Sequence, residues 1–146
     1  MIKATELQIG DYVLVSGTPR RVESITKKKI GYHINPQTDG GLHYARLHDV
    51  EPIEITGEML DQNGFDKKGM TTIYFLGGEL PDDFIWNITL DLRYGVVDVI
   101  LWKRIQPKDS TYDDLVTQRT VFVKSLYFHQ LQQACRMCGI KMEWKV

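Results

Sequence analysis

Phe84-Ile85-Trp86-Asn87-Ile88-Thr89-Leu90-Asp91-Leu92 is the stretch whose reading decides the fold class. It alternates throughout, with Phe84, Trp86, Ile88, Leu90 and Leu92 on one face and Ile85, Asn87, Thr89, Asp91 and Arg93 on the other. A period of two sends successive side chains to opposite sides of a strand, so one face is expected in a core and the other mostly in water. Arg93-Tyr94-Gly95 follows at once and leads into a second strand-like run, Val96 to Ile105. A connection this tight predicts an antiparallel hairpin, because a parallel crossover needs roughly a dozen residues or more.

Downstream, Gln106 to Gln118 reads as a polar loop containing Pro107, and Thr120 to Lys124 as a further strand. A helix follows, with Ser125 as N-cap and Tyr127, Leu131, Ala134, Cys135 and Cys138 at helical spacing. His129, Gln130, Gln132, Gln133 and Arg136 fall around its remaining face, Gly139 ends it, and Ile140 to Lys145 alternates again as a final strand. Upstream, Thr71 to Leu76 is a strand and Ile55 to Phe65 carries the marks of a short bounded helix. Thr56 is its N-cap, Ile55 and Leu60 form a hydrophobic staple, and Gly64 and Phe65 close it in a Schellman arrangement. Residues 53–146 are therefore expected as an α-β-β-β-β-α-β unit with a mainly antiparallel sheet and Trp86, Leu90, Val97, Leu131, Cys135 and Cys138 in its core.

The first 52 residues differ in texture. Asp11 to Ser16, Arg21 to Ile25, Ile30 to Ile34 and Leu42 to Leu47 read as short strands, punctuated by Gly17-Thr18-Pro19, a lysine turn and the loop Asn35 to Gly41. That density of short strands predicts a small β-barrel. The whole is an α+β chain of two modules, 1–52 and 53–146.

Composition bounds the rest. The 146 residues are 42% hydrophobic and 25% charged, with 18 Lys and Arg against 19 Asp and Glu, which excludes disordered and fibrous classes. The strongest apolar stretch, Val96 to Trp102, is broken by Asp98 and falls far short of the ~18 residues of a membrane span. Met1 to Glu6 opens no secretory apolar core, so a cytoplasmic location and no membrane partner are expected. The net charge of −1 conceals an asymmetry: residues 1–50 carry seven basic against five acidic groups, and the remainder eleven against fourteen. Arg20, Arg21, Lys27, Lys28 and Lys29 face only Glu23 within ten residues, a local excess of +4.

Chemistry-bearing motifs are sparse. Cys135-Arg136-Met137-Cys138 is a CxxC, but it ends a helix, where the dipole raises a thiol pKa, and both cysteines fall on the apolar stripe. Zinc would need two further ligands, and a core role is expected instead. His43 and His48 lack the spacing of a helical metal site. With no phosphate-cradling Gly loop after a strand and no GxSxG, no catalytic residue, metal or cofactor is expected.

Two family resemblances bear on the layout. Ala4 to Ile25, through Leu7-Gln8-Ile9-Gly10-Asp11, Gly17-Thr18-Pro19 and Val22-Glu23-Ser24-Ile25, resembles the opening of KOW-like, SH3-type barrels such as the N-terminal domain of elongation factor P. The resemblance implies an SH3-like barrel for the first module; the Gly-Lys-rich loop and the C-terminal domains of that factor have no counterpart here. Glu6 to Val13, Pro52 to Phe65 and His129-Gln130-Leu131-Gln132 together resemble a group of short proteins of Bacteroidota and their phages, a likeness that implies no activity.

The expected function is a non-catalytic binding or accessory module for a protein partner, with His129, Gln133 and Arg136 as a candidate polar surface. The alternative is RNA or single-stranded nucleic acid, with Arg20, Arg21, Lys27, Lys28 and Lys29 on phosphates and Tyr12, Tyr32 or Tyr44 stacking on bases.

Overall fold

A computed structural model describes residues 1–38, 40–105, 114–124 and 127–146. The chain is α+β, with antiparallel sheets and two α-helices. Among the described residues no helix is long and apolar enough to cross a membrane. The chain divides into two compact units: residues 1–54 with 127–133 and Val146, and residues 55–126 with 134–145.

The first unit holds six short strands in two three-stranded sheets. Strands β1 (Tyr12–Val15), β2 (Thr18–Arg21) and β6 (Val50–Glu51) form one in the order β2-β1-β6; β3 (Ser24–Ile25), β4 (Lys29–Tyr32) and β5 (His43–Arg46) form the other in the order β3-β4-β5. Val13, Val15, Val22, Ile30, Ala45 and Val50 meet in its core with Ile2 and Leu7. Among the described residues no ladder joins the two sheets, and no closed barrel is found. The β1–β2 turn is Ser16-Gly17, with φ of 51° and 74°, and Thr18 and Pro19, read as turn residues, belong to β2. Two positive φ values in a two-residue loop match the right-handed twist of a hairpin, which is why glycine stands second. Pro19 is tolerated because β2 is an edge strand.

The second unit is built on a five-stranded antiparallel sheet in the order β11-β10-β9-β8-β7. Its strands are β7 (Asp66–Lys67), β8 (Ile73–Leu80), β9 (Phe84–Asp91), β10 (Val96–Ile105) and β11 (Asp114–Lys124). The alternation is realised over residues 88–91, where Ile88 and Leu90 are fully buried on β9, opposite Val99 and Val97 on β10, whereas residues 84–87 are half-buried on both faces. Trp86 is only half-buried, because it lies toward the far end of that face. Helix α1 (Gly57–Gln62) starts as expected, with the Thr56 hydroxyl accepting from Met59 N–H at 3.2 Å, and ends with Phe65 N–H donating to Leu60 C=O at 3.0 Å.

Three expectations are corrected. Residues 114–118 are strand rather than loop, since they extend the ladder with β10; residues 106–113, Pro107 included, lie outside the described residues. Residues 140–146 form no strand; instead Asn63 binds them, its Nδ2 donating to Lys145 C=O and its Oδ1 accepting from Lys145 N–H, both at 2.8 Å. Helix α2 spans Phe128–Met137, its residues up to Gln133 belonging to the first unit and the later ones to the second, so Leu131 is buried with the first. The expected cap, Ser125, lies outside the described residues.

Candidate functional site

The sheet β3-β4-β5 has two chemically distinct faces. Cross-strand partners point to the same side, so Ile25, Ile30 and Ala45 share the core face, together with Tyr32 and its partner His43. The opposite face carries Ser24, Gly31 and Tyr44 in one row and Lys29 opposite Arg46 in the next. Gly31 makes that row possible: a Cβ there would stand 2.3 Å from the Ser24 hydroxyl and 3.1 Å from the Tyr44 ring. The ring therefore has the space that a side chain on β4 would fill. Tyr44 remains 54% exposed, and the Lys29 ammonium stands 4.1 Å from its centroid, a close cation–π contact.

The lysine turn beside this face is held by Thr26. Its hydroxyl accepts from Lys29 N–H at 3.1 Å, and its backbone N–H donates to Lys29 C=O at 2.9 Å. Lys28 is anchored through its carbonyl, which accepts from Leu47 N–H at 3.0 Å, so Lys27 and Lys28 are exposed on a fixed backbone.

A cleft of about 420 Å³ runs by the β5 residues, lined by Val15, Ser16, Tyr32, Tyr44, Ala45, Arg46 and Asp49. Tyr32 and Tyr44 start from opposite faces of the sheet and both reach it. Arg20 stands over the other side of this arrangement: its guanidinium carbon is 5.6 Å from the Tyr32 centroid and Nη1 donates to Ile34 C=O at 3.3 Å. Arg21 pairs with Glu23 at 2.9 Å, and both line, together with Arg20, Tyr12, Pro19 and His33, a smaller cleft of about 230 Å³. The basic segment is thus divided: Lys29 with Tyr44, Arg20 with Tyr32, and Arg21 with Glu23. Of the three candidate tyrosines, strand register places Tyr44 on the face of Lys29 and adds Arg46, which periodicity in a single strand does not reveal.

The polar face of α2 does not form the ligand surface expected of His129, Gln133 and Arg136. His129 is 2% exposed, and Arg136 belongs to the second unit. Gln133 Nε2 donates to Asp11 Oδ2 at 2.6 Å and to Glu6 C=O at 2.9 Å, while buried Gln132 accepts from Tyr12 N–H at 2.9 Å and donates to Gly10 C=O at 3.3 Å. These glutamines satisfy backbone groups of residues 6–12, because a buried N–H or C=O without a partner is expensive. Burial holds the His129 imidazole below its ordinary pKa, against the opposing pull of Asp11 and Glu6.

Cys135 and Cys138 are free, buried thiols. Burial pushes Cys135 up to about 12 and raises Cys138, so neither is a thiolate at neutral pH. Among the described residues no group of three or more His, Cys, Asp or Glu is placed to hold a metal ion. Comparison with protein-family models, with curated proteins and with solved structures finds no match to this chain.

Proposed function

We propose that this chain is a non-catalytic binding module, and that the SH3-like β-module of its first unit takes single-stranded nucleic acid, RNA in the first instance, on the face of Tyr44. The observation that carries this reading is the exposed Tyr44 ring beside Gly31, with Lys29 at 4.1 Å and Arg46 in the adjacent row. An aromatic ring with cations beside it is the chemistry that single strands demand: a base takes the ring face that the Lys29 ammonium now covers, and the freed ammonium and the neighbouring guanidinium meet the flanking phosphates. The cleft lined by Tyr32, Tyr44 and Arg46 is large enough for one base, and Arg20 supplies a further cation beside Tyr32. Lys27 and Lys28 extend the positive rim along the fixed turn.

Fluorescence anisotropy with a labelled single-stranded oligoribonucleotide tests it. Binding is expected to weaken with a log–log salt slope of about −2 to −3, the value for three or four neutralised phosphates. Tyr44→Ala is expected to remove roughly 1–3 kcal/mol of binding free energy, the usual contribution of one stacked base. No binding at low salt, or binding that ignores both Tyr44→Ala and salt, overturns the reading. A protein partner is the second reading, favoured by a different observation: Leu115, Val116 and Phe122 stand 53%, 43% and 52% exposed on β11.

A further inference from the structure

Strand β11 is the outer strand of the five-stranded sheet: among the described residues β10 is its one strand partner over Asp114 to Lys124, and the Arg119 side chain donates to Met137 C=O at the end of α2. An edge this long exposes a row of backbone donors and acceptors, and proteins ordinarily blunt such edges with proline, inward charges or brevity. Within β11 there is no proline, and its apolar side chains lie open on both faces of the sheet.

The register with β10 shows a further property. Leu101 pairs with Arg119 and Trp102 with Thr117, so Gln118 is the extra residue of a β-bulge. Across the bulge, Leu115, Thr117, Thr120 and Phe122 pair with Arg104, Trp102, Ile100 and Asp98, all on one face of β10. Asp114, Val116, Arg119, Val121 and Val123 pair with Ile105, Lys103, Leu101, Val99 and Val97 on the other. Without the extra residue, Thr117 and Thr120, three apart, would point to opposite faces. The bulge therefore makes the pattern of faces symmetric about the Gln118–Arg119 peptide. The residue types are symmetric about the same point: Leu-Val-Thr precedes it and Thr-Val-Phe follows.

We infer that β11 pairs antiparallel with β11 of a second copy of this chain across a two-fold axis at Gln118–Arg119. In that register Thr117 lies opposite Thr120 of the second copy, Val116 opposite Val121, Leu115 opposite Phe122 and Asp114 opposite Val123. Every pair matches in face, and no like charges oppose each other, since Arg119 faces Gln118. Sliding the copies by two residues in either direction opposes residues of different faces at or beside the axis, a mismatch that registers with a buried or half-buried side strongly disfavour. The pairing joins two five-stranded sheets into one and covers the side chains of Leu115, Val116 and Phe122 that are open in the single chain. It is an isologous contact, in which one self-complementary patch serves both copies. The inference does not depend on the nucleic-acid reading, which concerns the first unit.

Sedimentation equilibrium is expected to give twice the 16.9 kDa chain mass. Two double variants at exposed positions then probe the register. Thr117→Lys with Thr120→Lys sets like charges opposite one another twice and is expected to weaken the dimer on the order of tenfold or more. Thr117→Glu with Thr120→Lys sets opposite charges there instead and is expected to retain it. Cross-linking supplies a readout that does not depend on the charged variants folding. Thr117→Cys and Thr120→Cys chains, mixed and mildly oxidised, are expected to form a disulfide-linked dimer, and either chain alone is not; native Cys135 and Cys138 are buried. A monomer at high micromolar concentration, a dimer that both charge variants weaken alike or leave unchanged, or cross-linking without regard to mixing overturns the inference.

Discussion

The two units use the same architectural material, antiparallel strands, to opposite ends. In the first, strands of two to four residues give one apolar face to a shared core and arm the other with Tyr44, Lys29 and Arg46. In the second, the four strands β8 to β11, of eight to eleven residues, carry more apolar surface than its helices cover: Ile88, Leu90, Val97 and Val99 are buried, yet Phe75, Leu115 and Phe122 remain open. Short ladders leave room for charge at every turn. Long ladders spread apolar residues beyond the reach of a helix, and the excess becomes surface that another chain can cover. The two proposals follow that difference, one resting on cations and an aromatic ring, the other on apolar side chains and a free backbone edge.

The strongest way to break the comparison is through the first unit's core. Phe128 is fully buried, its ring centroid 6.5 Å from that of Tyr12, and its N–H donates to Ile53 C=O at 2.9 Å. Phe128→Ala is expected to destabilise the protein by about 3–5 kcal/mol in urea unfolding, as truncation of a buried aromatic does. Gln132→Ala follows, at about 1–3 kcal/mol, because Tyr12 N–H and Gly10 C=O would lose their partner in a buried setting. A near-neutral result would mean that those groups reach water, and the polar half of α2 would revert to a surface.

That pair also marks the limit of what the sequence discloses. The hairpin from Phe84, the Thr56 cap and the burial of Cys135 and Cys138 are legible, because each depends on local periodicity or capping chemistry. Gln132, Gln133 and His129 read as wet in the sequence, because a helical pattern assigns glutamine and histidine to solvent. The partners of the two glutamines lie some 120 residues away, at Tyr12, Asp11 and Gly10. The strand at 114–118 is obscured by the polar, Pro107-bearing run before it, although Leu115-Val116-Thr117 are β-favouring residues; the ladder with β10 shows its extent. Of the candidate site, Lys27 to Lys29 are visible as a charge run. Tyr44 is visible as one of three candidate tyrosines; cross-strand register singles it out and adds Arg46.

Gly31 sharpens the contrast with an effect smaller on stability than on binding. Gly31→Ala places a methyl group against the Ser24 hydroxyl and the Tyr44 ring, neither of which is backbone, so the side chains give way before the sheet does. Unfolding free energy is expected to fall by about 1 kcal/mol. Oligonucleotide affinity is expected to fall with it toward the level of Tyr44→Ala, measured by anisotropy. Lost stability with intact affinity would detach the ring's placement from recognition.

The smallest effect concerns His129, which tests whether the first unit's interior excludes charge as firmly as the second's. Its folded-state pKa lies below the unfolded value of 6.5 because burial disfavours the imidazolium, although Asp11 and Glu6 attract it. Below that value the unfolded chain binds a proton that the folded chain resists. Stability contributed by the neutral ring is therefore complete above about pH 6.5 and declines as pH falls toward the lower folded value, where the decline levels off. Thermal unfolding between pH 7 and pH 5 is expected to show a falling Tm in the native protein and a shallower fall in His129→Gln. The thiols of the second unit cannot supply this slope, since burial raises Cys135 and Cys138 away from that range. An equal slope in both proteins would assign the acid sensitivity to carboxylates instead and show that the first unit accommodates a charged ring where the glutamines beside it hold the backbone.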